Sequence, residues 1–185
     1  AYKAGNFTEA IALREEVIQY KRCDTELAAK NQYLTGLDYQ YELNNLYKAK
    51  AAYNNVIVIH PKSGYATMAQ QMLAGLKSEF AAICQKKYDD SQVRYKTGQY
   101  VESVAILEEM LQMESCNEEL SSKAQYYIGW NYANDQFKPD VARKAYQEVV
   151  DNYPEGFKYV EYSKLKLASY LLSDQAEAAY KAGNF

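Results

Sequence analysis

Ala1-Tyr2-Lys3-Ala4-Gly5-Asn6-Phe7 opens the chain, and the same seven residues return as Ala179-Tyr180-Lys181-Ala182-Gly183-Asn184-Phe185. A looser copy, Arg94-Tyr95-Lys96-Thr97-Gly98-Gln99-Tyr100, lies between them. A recurrence at this spacing is the mark of a repeat architecture, in which one structural unit is stacked on its own copy. Sliding the sequence by 93 residues aligns 1–61 with 94–154 without a gap. Tyr2/Tyr95, Gly5/Gly98, Glu16/Glu109, Cys23/Cys116, Tyr33/Tyr126, Gly36/Gly129, Ala49/Ala142, Tyr53/Tyr146 and Pro61/Pro154 are all identical. The chain is a tandem duplication.

Each copy carries helical signals. Phe7, Ala10, Ile11, Val17 and Ile18 fall on one helical stripe, echoed by Tyr100, Ser103, Val104, Met110 and Leu111. Asp24 and Asn117 are good N-caps, with Glu26 and Glu119 in the first turn where the helix dipole favours an anion. The pattern predicts helices over 25–43 and 118–135, a break at Asn44-Asn45 and Lys138-Pro139, and further helices over 47–59 and 140–152. Those end before Pro61 and Pro154, because proline disfavours a helical residue ahead of it. The stretch 65–97 contains no proline and a single internal glycine, Gly75. It predicts one extended or kinked helix of roughly 50 Å at about 1.5 Å per residue, with a break at Lys77-Ser78 as the alternative. Its counterpart runs over 158–182. Gly5, Gly98 and Gly183 are then left-handed helix caps.

Composition excludes several classes of function. Hydrophobic residues make up 48% of the chain, enough for a core, and 20 tyrosines suit both helix packing and half-wet binding surfaces. A net charge of -3 provides no footprint for nucleic acid. No apolar run reaches the length of a membrane span. The three cysteines are an odd set, and the reading favoured is buried free thiols; a Cys23–Cys116 bridge is disfavoured because the two are repeat equivalents. His60, the one histidine, has Tyr153 as its repeat equivalent and reads as structural. No zinc spacing, phosphate loop or nucleophile motif occurs, so no catalytic residue, cofactor or metal is expected and the chain is read as not an enzyme. Met68/Met72 and Met110/Met113 are read as core packing.

Tyr-Lys-x-Gly-x-(Phe/Tyr)-x-Glu-(Ala/Ser) followed by an amphipathic helix resembles the turn and second helix of a tetratricopeptide repeat. The segment 124–132, with Gly129 at the small position, resembles its first helix. Ala142, Tyr146, Val149 and Pro154 resemble the second, as do Ala49, Tyr53, Val56 and Pro61 in the first copy. The endings AYQEVVDNYPEG and AYNNVIVIHPKS are similar to those of bacterial proteins of the Tol-Pal coordinator and outer-membrane assembly lipoprotein type. The resemblance implies an all-α solenoid of antiparallel helical hairpins forming a right-handed superhelix, with one or two overlong helices. It would be a single array over 1–185, built as super-repeats 1–93 and 94–185, with a last helix at 157–182.

By the same resemblance the protein is a scaffold that binds a protein or peptide partner in a concave groove. Lys30, Tyr33, Leu37, Gln40 and Tyr41, with Lys123, Tyr126, Tyr127, Trp130 and Asn134, would line it. The lysine/asparagine clamp of chaperone-binding repeats is not matched, which argues against capture of a C-terminal carboxylate. The periplasm or cell envelope is implied by the lipoprotein likeness, and the cytoplasm stays open. The third heptapeptide carries a second reading: head-to-tail self-association into rings or filaments, or a unit of a longer or engineered array.

Overall fold

The computed structural model describes residues 5–20, 24–113 and 115–183, and all regular structure among them is helical. The elements are α1 (Phe7–Gln19), α2 (Thr25–Leu37, extended by a π-helical turn at Asp38–Glu42), α3 (Leu46–Ile59), α4 (Gly64–Lys96), α5 (Tyr100–Leu111), α6 (Glu118–Asn134), α7 (Pro139–Asn152) and α8 (Lys158–Lys181). Two compact units result, Ala1–Glu79 and Phe80–Phe185, and the boundary falls inside α4. Within each, helices pack on their neighbours in sequence, as α1 on α2 and α2 on α3, or α6 on α7 and α7 on α8. The fold is of the all-α, tetratricopeptide-like solenoid type that the repeats imply. The stretch after Pro61 is one uninterrupted 33-residue helix, without a break at Lys77-Ser78.

The duplication reappears as duplicated contacts. The Asp24 carboxylate accepts hydrogen bonds from the backbone N–H groups of Glu26 and Leu27, and its counterpart Asn117 accepts from Leu120. At the other end of α2, Leu43 donates to the Asp38 carbonyl at 3.0 Å and Asn45 to that of Tyr39 at 2.7 Å. Ninety-three residues on, Gln136 donates to Asn131 at 3.1 Å and Lys138 to Tyr132 at 2.8 Å. The turn residue is left-handed in both copies, Asn44 with φ 47° and Phe137 with φ 54°. The heptapeptide glycines Gly5, Gly98 and Gly183 share a left-handed φ of 72°, 76° and 72°, as expected of helix caps.

The centre of each hairpin is a glycine under a tyrosine ring. A Cβ on Gly129 would lie 2.7 Å from the Tyr146 ring, and one on Gly36 would run into the ring of Tyr53. Both tyrosines are fully buried, Tyr53 against the Tyr33 ring and Tyr146 against those of Tyr126 and Tyr170, so neither ring has free space to withdraw into. Gly129→Ala is therefore expected to destabilise the protein by about 1–3 kcal/mol through overpacking, despite alanine's better helix propensity. Chemical denaturation measures it, and an unchanged midpoint would show that the crossing can open.

The cysteine expectation is overturned. Cys84, on the second half of α4, is bonded to Cys116 in the α5–α6 loop, with Cα atoms 5.6 Å apart. Cys84 lies where the 93-residue alignment has run out, so spacing could not pair it. Cys23 lies outside the described residues. Met110 is fully buried and Met113 packs beside it, as read, whereas Met68 is exposed.

Candidate functional site

In Phe80–Phe185, α4, α6 and α8 contribute one continuous group of aromatic rings. Tyr126 is at its centre, with ring centroids 5.4 Å from Tyr159, 5.5 Å from Tyr127, 6.0 Å from Tyr162 and 6.3 Å from Trp130. Tyr88 extends the group from α4, 6.1 Å from Tyr127. The Trp130 indole N–H donates to the Tyr95 hydroxyl at 3.1 Å, which fixes the indole plane. Tilted and edge-on arrangements at these distances are the favourable ones for aromatic quadrupoles.

Three lysines cover this surface. Lys123 sits 4.1 Å from the centre of the Tyr88 ring, Lys166 4.6 Å from that of Trp130, and Lys158 5.4 Å from that of Tyr162. None of the three has an ion-pair partner among the described residues, in contrast with Lys87, Lys164 and Lys181, which pair with Glu109, Glu155 and Glu177. The ammonium groups are held by ring faces, a contact of about 0.5–2 kcal/mol that leaves the charge unneutralised. Burial, and then neighbouring Tyr127, push the Tyr159 hydroxyl up to about 12. Between Tyr126 and α8 lies an open hollow of about 360 Å³, lined by Tyr162, Leu165, Lys166 and Ser169. A second hollow, beside Tyr159, is lined by Lys123, Lys158, Gln85 and Glu119 among others.

The residues expected to line a groove are distributed between core and surface. Tyr126 is buried, Lys123, Tyr127 and Trp130 are half-buried, and Asn134 is exposed and donates to the Trp130 carbonyl. In Ala1–Glu79, Tyr33 and Gln40 are buried. Tyr33 packs on Tyr53 and Tyr65, and Gln40 links the Tyr53 hydroxyl to Glu79. Lys30 and Tyr41 are exposed and Leu37 is half-buried. The contributions of α4 and α8 (Tyr88, Tyr95, Lys158, Tyr159, Tyr162 and Lys166) were missed in the sequence because their excess length hid them as first helices of hairpins. Their signal is the pairing of Tyr65 with Tyr159, each stacked on the central tyrosine of its unit.

The Tetratricopeptide repeat family model matches residues 123–156, which cover most of α6, the turn and all of α7. No curated protein and no solved structure matches the chain. The match covers one repeat unit, and with the all-helical fold it supports a tetratricopeptide-like architecture; proteins that carry such repeats generally serve as scaffolds for protein–protein interaction. No helix among the described residues is long and apolar enough to cross a membrane.

Proposed function

We propose that the protein is a non-catalytic interaction scaffold whose aromatic and lysine-bearing face, formed by α4, α6 and α8, binds an extended peptide or helix of a partner protein. The observation that carries this is the set of three unneutralised lysines on a preformed aromatic surface, in a chain whose net charge is -3. Aromatics and cations at a half-buried centre are the usual anchors of interfaces. Rings held by their neighbours need little ordering when a partner arrives. The hollow beside Tyr162 suits an apolar or aromatic side chain, and Lys166 and Lys158 suit carboxylates placed near it. Residues 30, 37 and 41 of α2 provide the corresponding surface of the first super-repeat, and the chain acts as one array over 1–185. The negative net charge favours a protein partner over nucleic acid. The Cys84–Cys116 bond supports an oxidising compartment, in keeping with the likeness to cell-envelope proteins of bacteria.

Affinity capture with the intact chain, quantified by mass spectrometry, tests the reading. Trp130→Ala/Tyr162→Ala is expected to lower partner recovery at least tenfold, since one anchor alone is worth about 2 kcal/mol or more, while helicity by circular dichroism is retained. Tyr126 is unsuited to this test because its ring is part of the core. Unchanged recovery would remove the face from the binding site.

A further inference from the structure

On the far side of α6 from the aromatic face, α5, α6 and α7 enclose a third hollow, of about 510 Å³. A step of about 100° per residue puts Gln125, Ile128 and Tyr132 on one side of α6 and Lys123, Tyr126 and Trp130 on the other. Leu111, Ile128, Tyr132 and Val141 give the hollow an apolar lining. Glu108 and Glu148 stand on its two walls, one on α5 and the other on α7. The volume falls within the range of about 300–1,000 Å³ common to ligand sites.

Neither carboxylate has an ion-pair partner among the described residues, whereas neighbouring Glu109 pairs with Lys87. Glu148 instead accepts a 2.6 Å hydrogen bond from the side-chain amide of Gln125, which is 9% exposed on the floor. That bond holds the carboxylate to the lining. Burial, and then Glu108, raise the Tyr132 hydroxyl above its ordinary value, which puts the other carboxylate beside this ring. Lys144, one turn before Glu148, is the single cation of the lining, so two carboxylates face one ammonium.

The first copy shows what such a place holds. Tyr39, the equivalent of Tyr132, has the Lys48 ammonium 5.2 Å from the centre of its ring, and Glu15 is the equivalent of Glu108. The equivalent of Lys48 is Val141. The second copy therefore keeps the ring and the carboxylate but replaces the chain's own cation with an apolar side chain. Lys138 approaches Tyr132 from the turn, at 5.6 Å, and is not part of the lining.

We propose that this hollow is a second binding site, and that it takes an arginine side chain of a basic partner protein. The guanidinium lies between Glu108 and Glu148 against the Tyr132 ring, and its stem covers Ile128 and Val141. A planar guanidinium pairs with carboxylates and stacks on a ring, which an ammonium does less well. The site does not depend on the aromatic face. It lets the scaffold hold two partners of opposite charge on opposite sides of α6.

The probe is n-hexylguanidinium, which reproduces the arginine head and stem, titrated at millimolar concentration into the intact chain and followed by nuclear magnetic resonance. Saturable shifts are expected at Ile128, Val141 and the Gln125 side-chain amide. The neutral analogue n-hexylurea should bind about tenfold more weakly, the loss of one well-placed charge contact. The cation should lose as much on Glu108→Gln/Glu148→Gln; both residues are exposed, and glutamine at 148 still accepts from Gln125. Lys144→Ala should tighten its binding, and Trp130→Ala/Tyr162→Ala should leave it unchanged. The proposal is overturned by absent shifts at these residues, by hexylurea binding as tightly as the cation, or by weaker binding to Lys144→Ala. Shifts that survive Glu108→Gln/Glu148→Gln but vanish in Trp130→Ala/Tyr162→Ala would overturn it as well.

Discussion

Arg14→Leu is expected to destabilise the Ala1–Glu79 unit by about 3–5 kcal/mol, the largest effect of any single substitution considered. Arg14 on α1 forms an ion pair with Asp38 at the end of α2; the Asp38 side chain is buried, 4% exposed, and that of Arg14 is 14% exposed. Removing the cation leaves a buried carboxylate without its counter-charge, and that desolvation penalty dominates the loss. The second copy shows the remedy. The equivalents of Arg14 and Asp38 are Leu107 and Asn131, both fully buried, with the Asn131 amide donating to the Tyr127 carbonyl at 2.9 Å. Arg14→Leu/Asp38→Asn transplants that pair, and the new amide has the Leu34 carbonyl one turn back. The double variant is expected within about 1 kcal/mol of the parent, because a buried ion pair and a well-packed neutral replacement are often near equal. Urea denaturation reads both, with a midpoint lowered by about 2 M for the single variant at an m-value near 2 kcal/mol/M. A double variant no more stable than the single one would show that the two copies solve this contact differently.

Breaking Cys84–Cys116 is the second large expected effect. The bond closes a 32-residue loop running from α4 through α5. Chain-entropy reasoning puts its contribution at about 3–4 kcal/mol. The parent protein should melt lower in the presence of a thiol reductant. Cys84→Ser/Cys116→Ser should melt at that lower temperature with or without it. Thiol titration of the denatured, unreduced parent should find one free thiol, that of Cys23. Three free thiols, or a melting temperature indifferent to reductant, would contradict the assignment.

These two cases show what the sequence could and could not reveal. The 93-residue register carried the fold: it located the caps at Asp24 and Asn117, the glycine crossings at Gly36 and Gly129, and the heptapeptide caps. All are backbone requirements, and backbone requirements repeat identically. Side chains at equivalent positions need not. Arg14/Asp38 against Leu107/Asn131 are two chemically different fillings of one space, and amphipathic periodicity does not reveal that a charged residue has a partner 24 residues away. The disulfide was illegible because Cys84 belongs to the long α4, where the gapless alignment ends. Lys158, Tyr162 and Lys166 escaped for the same reason on α8. Tyr33 and Tyr126 match the family pattern as groove residues, yet their rings lie under neighbouring helices, since periodicity places a residue on a face and does not say how deep it sits.

The proposed function rests on where a partner lies, and that can be read without knowing the partner. A photo-reactive phenylalanine analogue in place of Tyr162, on the aromatic and lysine-bearing face, should cross-link to the protein recovered by affinity capture. The same group in place of Gln147, which is exposed on α7 and outside the aromatic and lysine-bearing face, should not. Cross-linking from position 147 with none from 162 would place the partner on the outer surface and contradict the account.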